Sequence, residues 1–199
     1  MKVPFKPGSL IYPLPAVMVS CGDAPENYNI ITIGWTGTVC SDPPMCYISV
    51  RHERYSYDII KRTGEFVINL TTVDLARITD WCGVRSGRDY NKFKEMHLTP
   101  QQGQLVKAPL IGESPLNIEC RLKDIIPLGS HHMFLGEVVG IDASEEYMGE
   151  NGLIHLEEAG LIAYSSAKTE ENIPVGSYVK LGEAIGRYGF TASGDIRTH

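Results

Sequence analysis

The sequence predicts a mainly β fold with short helices, arranged as an antiparallel, Greek-key-like barrel. Three observations carry this: six apolar runs of strand length, an in–out alternation clearest over residues 116–126, and short helical patterns that fall between the runs. Over 116–126, Ile118, Cys120 and Leu122 share one face while Asn117, Glu119 and Arg121 share the other. That is the pattern of an antiparallel strand with one dry and one wet face. Barrels and sandwiches with helical decoration produce such a set.

Taken in order, the expected strands are residues 10–22, 30–41, 45–51, 65–70, 116–126 and 133–142. The first expected helix covers 55–62 and is stopped by Gly64, with Tyr55, Ile59 and Ile60 as its inward stripe. A second covers 73–82, where Thr71 and Asp74 have the spacing of a capping box, and a third covers 89–96. Residues 157–163 fit helix or strand, and 178–187 mix both periods.

With 43% hydrophobic and 21% charged residues, the 199-residue chain has the composition of a folded protein. Its 20 glycines and 12 prolines are scattered, so no linker or repeat divides it, and a single domain over 1–199 is expected. The 18 Lys and Arg against 24 Asp and Glu leave a net charge of −6, which argues against a nucleic-acid partner. There is no apolar run of spanning length, and the opening residues 1–8 have no apolar core of a leader, so no membrane partner is expected. Five cysteines, none in a C-x-x-C pair, argue for a reduced, cytoplasmic protein rather than a disulfide framework or zinc ribbon.

Three segments have the chemistry of a site. In residues 32–44, glycines and hydroxyls replace bulky strand residues, so either a flat ligand approaches the backbone beside Trp35 or the strand is bulged and ligand-free. Residues 49–58 carry Arg51, Arg54, Tyr55 and Ser56 out of a strand and into a helix start, where unpaired N–H groups and guanidinium groups hold phosphates. The alternative is a solvated turn with Arg51 or Arg54 paired to Glu53 or Asp58. Residues 83–93 repeat the theme with Ser86, Lys92 and Phe93, which either complete a phosphate or ring pocket or form a turn capped by Ser86 or Asp89.

Other signals are weaker. There is neither a P-loop nor a G-x-G-x-x-G after a strand. His131 and His132 are adjacent and on a strand would face opposite ways, so no metal is expected. Cys40 lacks the signature of a cysteine nucleophile and is expected to be a buried, apolar-behaving thiol. The Asn69-Leu70-Thr71 sequon ends an expected core strand and is taken as accidental.

The order of these pieces resembles the flavin reductase-like family, the FMN-binding split barrels that include flavoredoxins. The matching residues are Asn29 and Trp35, Thr36-Gly37-Thr38, Pro43-Pro44, Arg54-Tyr55-Ser56-Tyr57, Gly64 through Leu70, Lys92-Phe93, Pro109-Leu110-Ile111, Leu116 through Cys120 and Gly136-Glu137-Val138, over about residues 10–142. The resemblance implies a homodimer of split barrels with non-covalent FMN close to the subunit interface. It places Trp35, Thr36, Gly37, Thr38, Val39 and Cys40 along the isoalloxazine, and Arg54, Tyr55 and Ser56 on the phosphate with help from Arg51. Ser86, Lys92 and Phe93 would close the pocket. It implies an oxidoreductase that passes electrons from NAD(P)H through FMN to a small-molecule or redox-protein acceptor, with no catalytic side chain required. The alternatives are a flavoredoxin-like electron carrier without NAD(P)H turnover, or a barrel that has lost its flavin.

Overall fold

Runs of Val, Ile and aromatic residues pair as strands here, and they break where a proline or glycine interrupts the ladder. The computed structural model describes residues 1–4, 6–165, 175–186 and 188–191. Run 10–22 begins pairing only at β1 (Leu14–Pro15) and β2 (Val17–Cys21), because Pro13 and Pro15 lack N–H donors. Run 30–41 divides at Gly34-Trp35 into β3 (Asn29–Ile33) and β4 (Thr36–Ser41), followed by β5 (Pro44–Val50).

Helix α1 (Tyr55–Thr63) follows, then β6 (Glu65–Leu70). Gly64 ends α1 as expected: its φ is 70°, and its N–H donates to the Ile60 carbonyl at 2.8 Å. Next come α2 (Ala76–Val84), the single turn α3 (Lys92–Glu95), the short pair β7 (Pro100–Gln101) and β8 (Leu110–Ile111), and the long hairpin β9 (Leu116–Pro127) and β10 (His132–Ala143). The segment that fits both helix and strand contains both: a 3-10 turn over Leu156–Glu158, then β11 (Ile162–Ser165). Strand β12 (Ser177–Lys180) covers only the start of 178–187.

Seven strands form one antiparallel sheet in the order β3-β2-β6-β9-β10-β5-β4. Its two edge strands are consecutive in the chain and joined only by Gly34-Trp35, so the sheet curls until β3 approaches the end of β5. The expected antiparallel barrel is therefore a split one, open along a seam beside Gly34 and Trp35. Strands β1, β11 and β12 form a small second sheet at one end.

The curl encloses Val19, Ile48, Ile60, Phe66, Cys120 and Phe134, each at most 1% exposed. Gly136 on β10 makes that packing possible, since a Cβ there would lie 2.7 Å from Phe66 Cζ. On the outside of β2 and β3, a second cluster of Met18, Ile30, Leu75, Cys82, Phe93 and Ile111 is roofed by α2 and α3. Strand β2 is thus dry on both faces, which explains its unbroken apolar run.

Three local expectations are corrected. The wet face of β9 is dry at Asn117 and Glu119, because the connection before β8 covers it. The Glu119 carboxylate accepts N–H groups of Gln104, Leu105 and Val106 at 2.8–3.2 Å, and Asn117 donates to Asn69 Oδ1 at 2.7 Å. Thr71 does not cap α2; its hydroxyl donates to the Ala16 carbonyl, tying β6 to β2, and the helix begins later. Helix α3 is shorter than expected and is capped by Asn91, whose Oδ1 accepts the Lys94 N–H at 3.1 Å, while the turn before it is capped by Ser86, whose Oγ accepts the Arg88 N–H at 3.2 Å. Among the described residues, no helix is long and apolar enough to cross a membrane.

Candidate functional site

Where β5 ends, the chain turns through 51–54 and enters α1 with Arg54 in an extended conformation at the N-cap. No side chain caps this helix start, and with the Tyr57 N–H taken by the Arg54 carbonyl at 2.9 Å, the N–H groups of Tyr55 and Ser56 are left to meet an anion. Ser56 lies in that first turn, 1% exposed, with its Oγ accepting Asn29 Nδ2 at 2.8 Å. This bond fixes the helix start to β3.

The turn after α2 lies against the same place. A Cβ on Gly87 would fall 2.1 Å from Asn29 Oδ1, so only glycine lets this turn approach β3. Arg88 donates to the Glu53 carbonyl at 3.1 Å and covers the Tyr55 ring at 5.4 Å. Lys92 is 3% exposed, and its Nζ donates to the carbonyls of Ile30 and Cys82 at 2.7 and 2.6 Å. Burial, with Arg54 adding to it and Cys82 opposing, pulls the Lys92 ammonium down to about 8.

These groups line a cleft of about 280 Å³ with Arg54, Arg85, Arg88, Ser56, Ser86 and Lys92 around it. The solvated-turn alternative is realised for Arg51, which pairs with Glu53 at 3.4 Å. Arg54 and Arg85 have no carboxylate partner among the described residues. Arg54, Arg85, Arg88 and Lys92, with two hydroxyls and a helix start, outnumber the one carboxylate in the lining, Glu53, which is paired with Arg51, and this excess of cations suits a phosphate dianion.

A second cleft, about 420 Å³, follows the seam of the barrel. Ile31, Ile33 and Trp35 form one side, Ser49 to Arg51 the other, and it shares Ile31, Arg54 and Gly83 with the first cleft. His131 stacks on Trp35 with ring centres 4.5 Å apart. Burial, then the neighbouring Arg51, holds its imidazole below the usual range. Tyr164 and Tyr178 complete the lining. A flat, conjugated ring suits these walls.

Trp35, Arg51, Arg54, Tyr55, Ser56, Ser86 and Lys92 therefore all line one cleft or the other. Thr36, Gly37, Thr38, Val39 and Cys40 run away from them along the sheet edge; Thr36 Oγ1 donates to the Tyr47 carbonyl at 2.6 Å, and Val39 is displaced by a bulge opposite β5. Cys40 is half-exposed rather than buried, because an edge strand with no outer neighbour leaves it open. Phe93 is 5% exposed in the outer core cluster, behind Lys92, with its ring 6.1 Å from Tyr28. Polar and aromatic residues not foreseen as lining the clefts include Asn29, Glu53, Asp80, Arg85, Arg88, His131, Tyr164 and Tyr178. The two arginines lay within a cluster already singled out, and His131 was visible only as half of a His pair. His132 turns the other way, to the Tyr57 hydroxyl at 2.7 Å. Among the described residues no group of three or more His, Cys, Asp or Glu could hold a metal ion.

The family model of the flavin reductase like domain matches residues 9–160. The structure is similar to that of the flavoredoxin of Desulfovibrio vulgaris (Miyazaki F), with a TM-score of 0.83 and 29% identity over 94% of this chain and 97% of that one. It is similar also to the flavoredoxin from Methanosarcina acetivorans, with a TM-score of 0.83 and 25% identity over 97% and 98% of the two chains. An NADH-dependent FMN reductase of Streptomyces nodosus subsp. asukaensis is 25% identical over 135 residues, 68% of this chain and 71% of that protein.

Proposed function

The chain belongs to the flavin reductase like domain family, and on that premise we propose that it binds FMN non-covalently and passes electrons from NAD(P)H to a second acceptor, a small molecule or a redox protein. The observation that carries this reading is the meeting of a cationic cleft and an aromatic cleft at Arg54. One end fits a phosphate near −2, the other a flat ring, as a flavin mononucleotide requires.

Bound FMN supplies the centre that takes up and releases electrons. Arg54 and the free N–H groups of α1 hold the phosphate, with Tyr55, Ser56, Ser86 and Lys92 around it and Arg51 at the junction of the clefts. Trp35 and His131 wall the ring, while Ile31 and Ile33 exclude water from it. Residues 36–40 line neither cleft, and their assignment to the ring rests on the family resemblance, through backbone groups on the edge of β4 next to Trp35. Phe93 acts from behind by seating Lys92. The assembly is read as a homodimer with the flavin near the shared face, and the five free thiols fit a reducing cytoplasm.

Absorbance of the purified protein, followed by heat release and chromatography of any yellow cofactor, tests the reading. FMN near one per chain supports it; a colourless protein whose tryptophan fluorescence is unchanged by added FMN overturns it. The likeness to two flavoredoxins favours a second reading, an FMN electron carrier that does not itself turn over NAD(P)H. Stopped-flow mixing with NADH and NADPH separates the two, because a reductase bleaches within its turnover time and a carrier does not. Light scattering checks the dimer.

A further inference from the structure

The family model ends at residue 160, yet the cleft assigned to the flavin ring is lined by two aromatic residues beyond it. Tyr164 and Tyr178 sit opposite each other in the β11–β12 ladder, with ring centres 5.1 Å apart. Their placement is built rather than incidental. A Cβ on Gly176 would fall 1.9 Å from Tyr164 Oη, so the hydroxyl end of the ring lies against a backbone that only glycine leaves open. A Cβ on Gly34 would lie 4.0 Å from Tyr164 Cδ1, which puts this ring beside the seam next to Trp35.

Tyr178 faces α2 across the cleft, and burial followed by the Asp80 carboxylate of that helix raises its phenol above the usual range. Asp80 itself lines the cleft. Both tyrosines are half-buried, so each keeps ring surface available.

We propose that Tyr164 and Tyr178 form the platform on which a second flat, conjugated ring stacks within reach of the flavin, and so select the electron donor or acceptor. This rests on the FMN reading. The chemistry points to ring stacking because the platform offers two aromatic faces held at a fixed angle. It also stands on segments beyond the span that the family model matches, where one fold can carry different specificities. The pair binds and orients; it takes no part in bond changes. The flat ring has two sources, the nicotinamide of a dinucleotide or a quinone.

Equilibrium titration of the oxidised, FMN-loaded protein with two probes it cannot turn over, NAD⁺ and menadione, tests this by calorimetry. FMN affinity is measured first, so a protein that binds no FMN overturns the functional reading, and this inference with it, before any probe is added. In protein kept saturated with FMN, as its flavin absorbance shows, Tyr178→Leu should weaken the bound probe roughly tenfold. Tyr178→Phe, which keeps the ring, should restore most of the probe affinity. Weakening of NAD⁺ alone identifies a nicotinamide partner, and of menadione alone a quinone. Unchanged binding of both probes in Tyr178→Leu, no binding of either by the native protein, or a loss of FMN affinity instead of probe affinity overturns the inference. Should Tyr178→Leu lower the melting temperature, Tyr164→Leu supplies the second variant; it should weaken the same probe several-fold, and no effect there overturns the inference.

Discussion

Arg54 joins the two clefts and has no carboxylate partner among the described residues, so its charge is available to a ligand. A charge-assisted contact contributes roughly 1.5–3 kcal/mol, so Arg54→Ala should weaken FMN binding about 10- to 100-fold and riboflavin binding much less. Equal losses for the two ligands, measured by fluorescence quenching, would remove Arg54 from the phosphate. Lys92 sets a pH dependence at the same cleft. Its ammonium is pulled from 10.5 to about 8 in the folded protein, so between those values the unfolded chain holds a proton that the folded chain has lost. From this group alone, the free protein gains stability as pH rises from about 8 to 10.5, and carries the full cost of a buried charge below 8. Ligand binding has the opposite sign. FMN affinity should fall as pH rises through about 8, with Lys92 losing the charge that meets the phosphate, and Lys92→Met should flatten that profile. Riboflavin titrated over the same range is the control.

At the scale of elements, the site depends on segments held in place by buried polar groups. Glu119 of β9 is fully buried and gathers three backbone N–H groups from residues 104–106. Glu119→Ala leaves those donors without partners and should cost roughly 3 kcal/mol or more, read as a lower urea midpoint with faster amide exchange at 104–106. An unchanged midpoint would show that the carboxylate is dispensable to that connection. Gly136 governs the inner side of the same hairpin. With Phe66 Cζ 2.7 Å from where its Cβ would be, Gly136→Ala forces the core apart at about 1–3 kcal/mol, which chemical unfolding at equilibrium measures directly.

For the whole molecule, a ligand that bridges β3, the start of α1 and the turn after α2 binds the folded chain alone. FMN at a hundredfold excess over its Kd should add about 2.7 kcal/mol, moving Tm upward by roughly 5–10 °C for a chain of this size. Riboflavin should shift it less, since it leaves the cationic cleft empty. The absence of any shift with FMN would mean that the two clefts do not form one site.

The sequence by itself determined what is local. Strand positions, the Gly64 stop and the clustering of Arg51, Arg54, Ser56, Ser86 and Lys92 at helix starts follow from side-chain period, backbone freedom and charge within a few residues. Tertiary structure alone decided what depends on distant neighbours. Alternation in β9 marks two faces but cannot tell that residues 104–111 return to cover the polar one. Thr71 and Asp74 have cap spacing, yet the Ala16 carbonyl of a paired segment competes for the hydroxyl and takes it. Phe93 is aromatic and next to Lys92, and only the packing of α3 on β3 turns it into the core while the ammonium faces the cleft. Tyr164 and Tyr178 reach Trp35 only because a two-residue link between edge strands curls the sheet and the last hairpin docks on its seam. The Thr71 and Lys92 contacts close loops of 55 and 62 residues and that of Tyr164 with Gly34 a longer one, and their entropy cost is met by burial summed over the entire fold, which no short window of sequence contains.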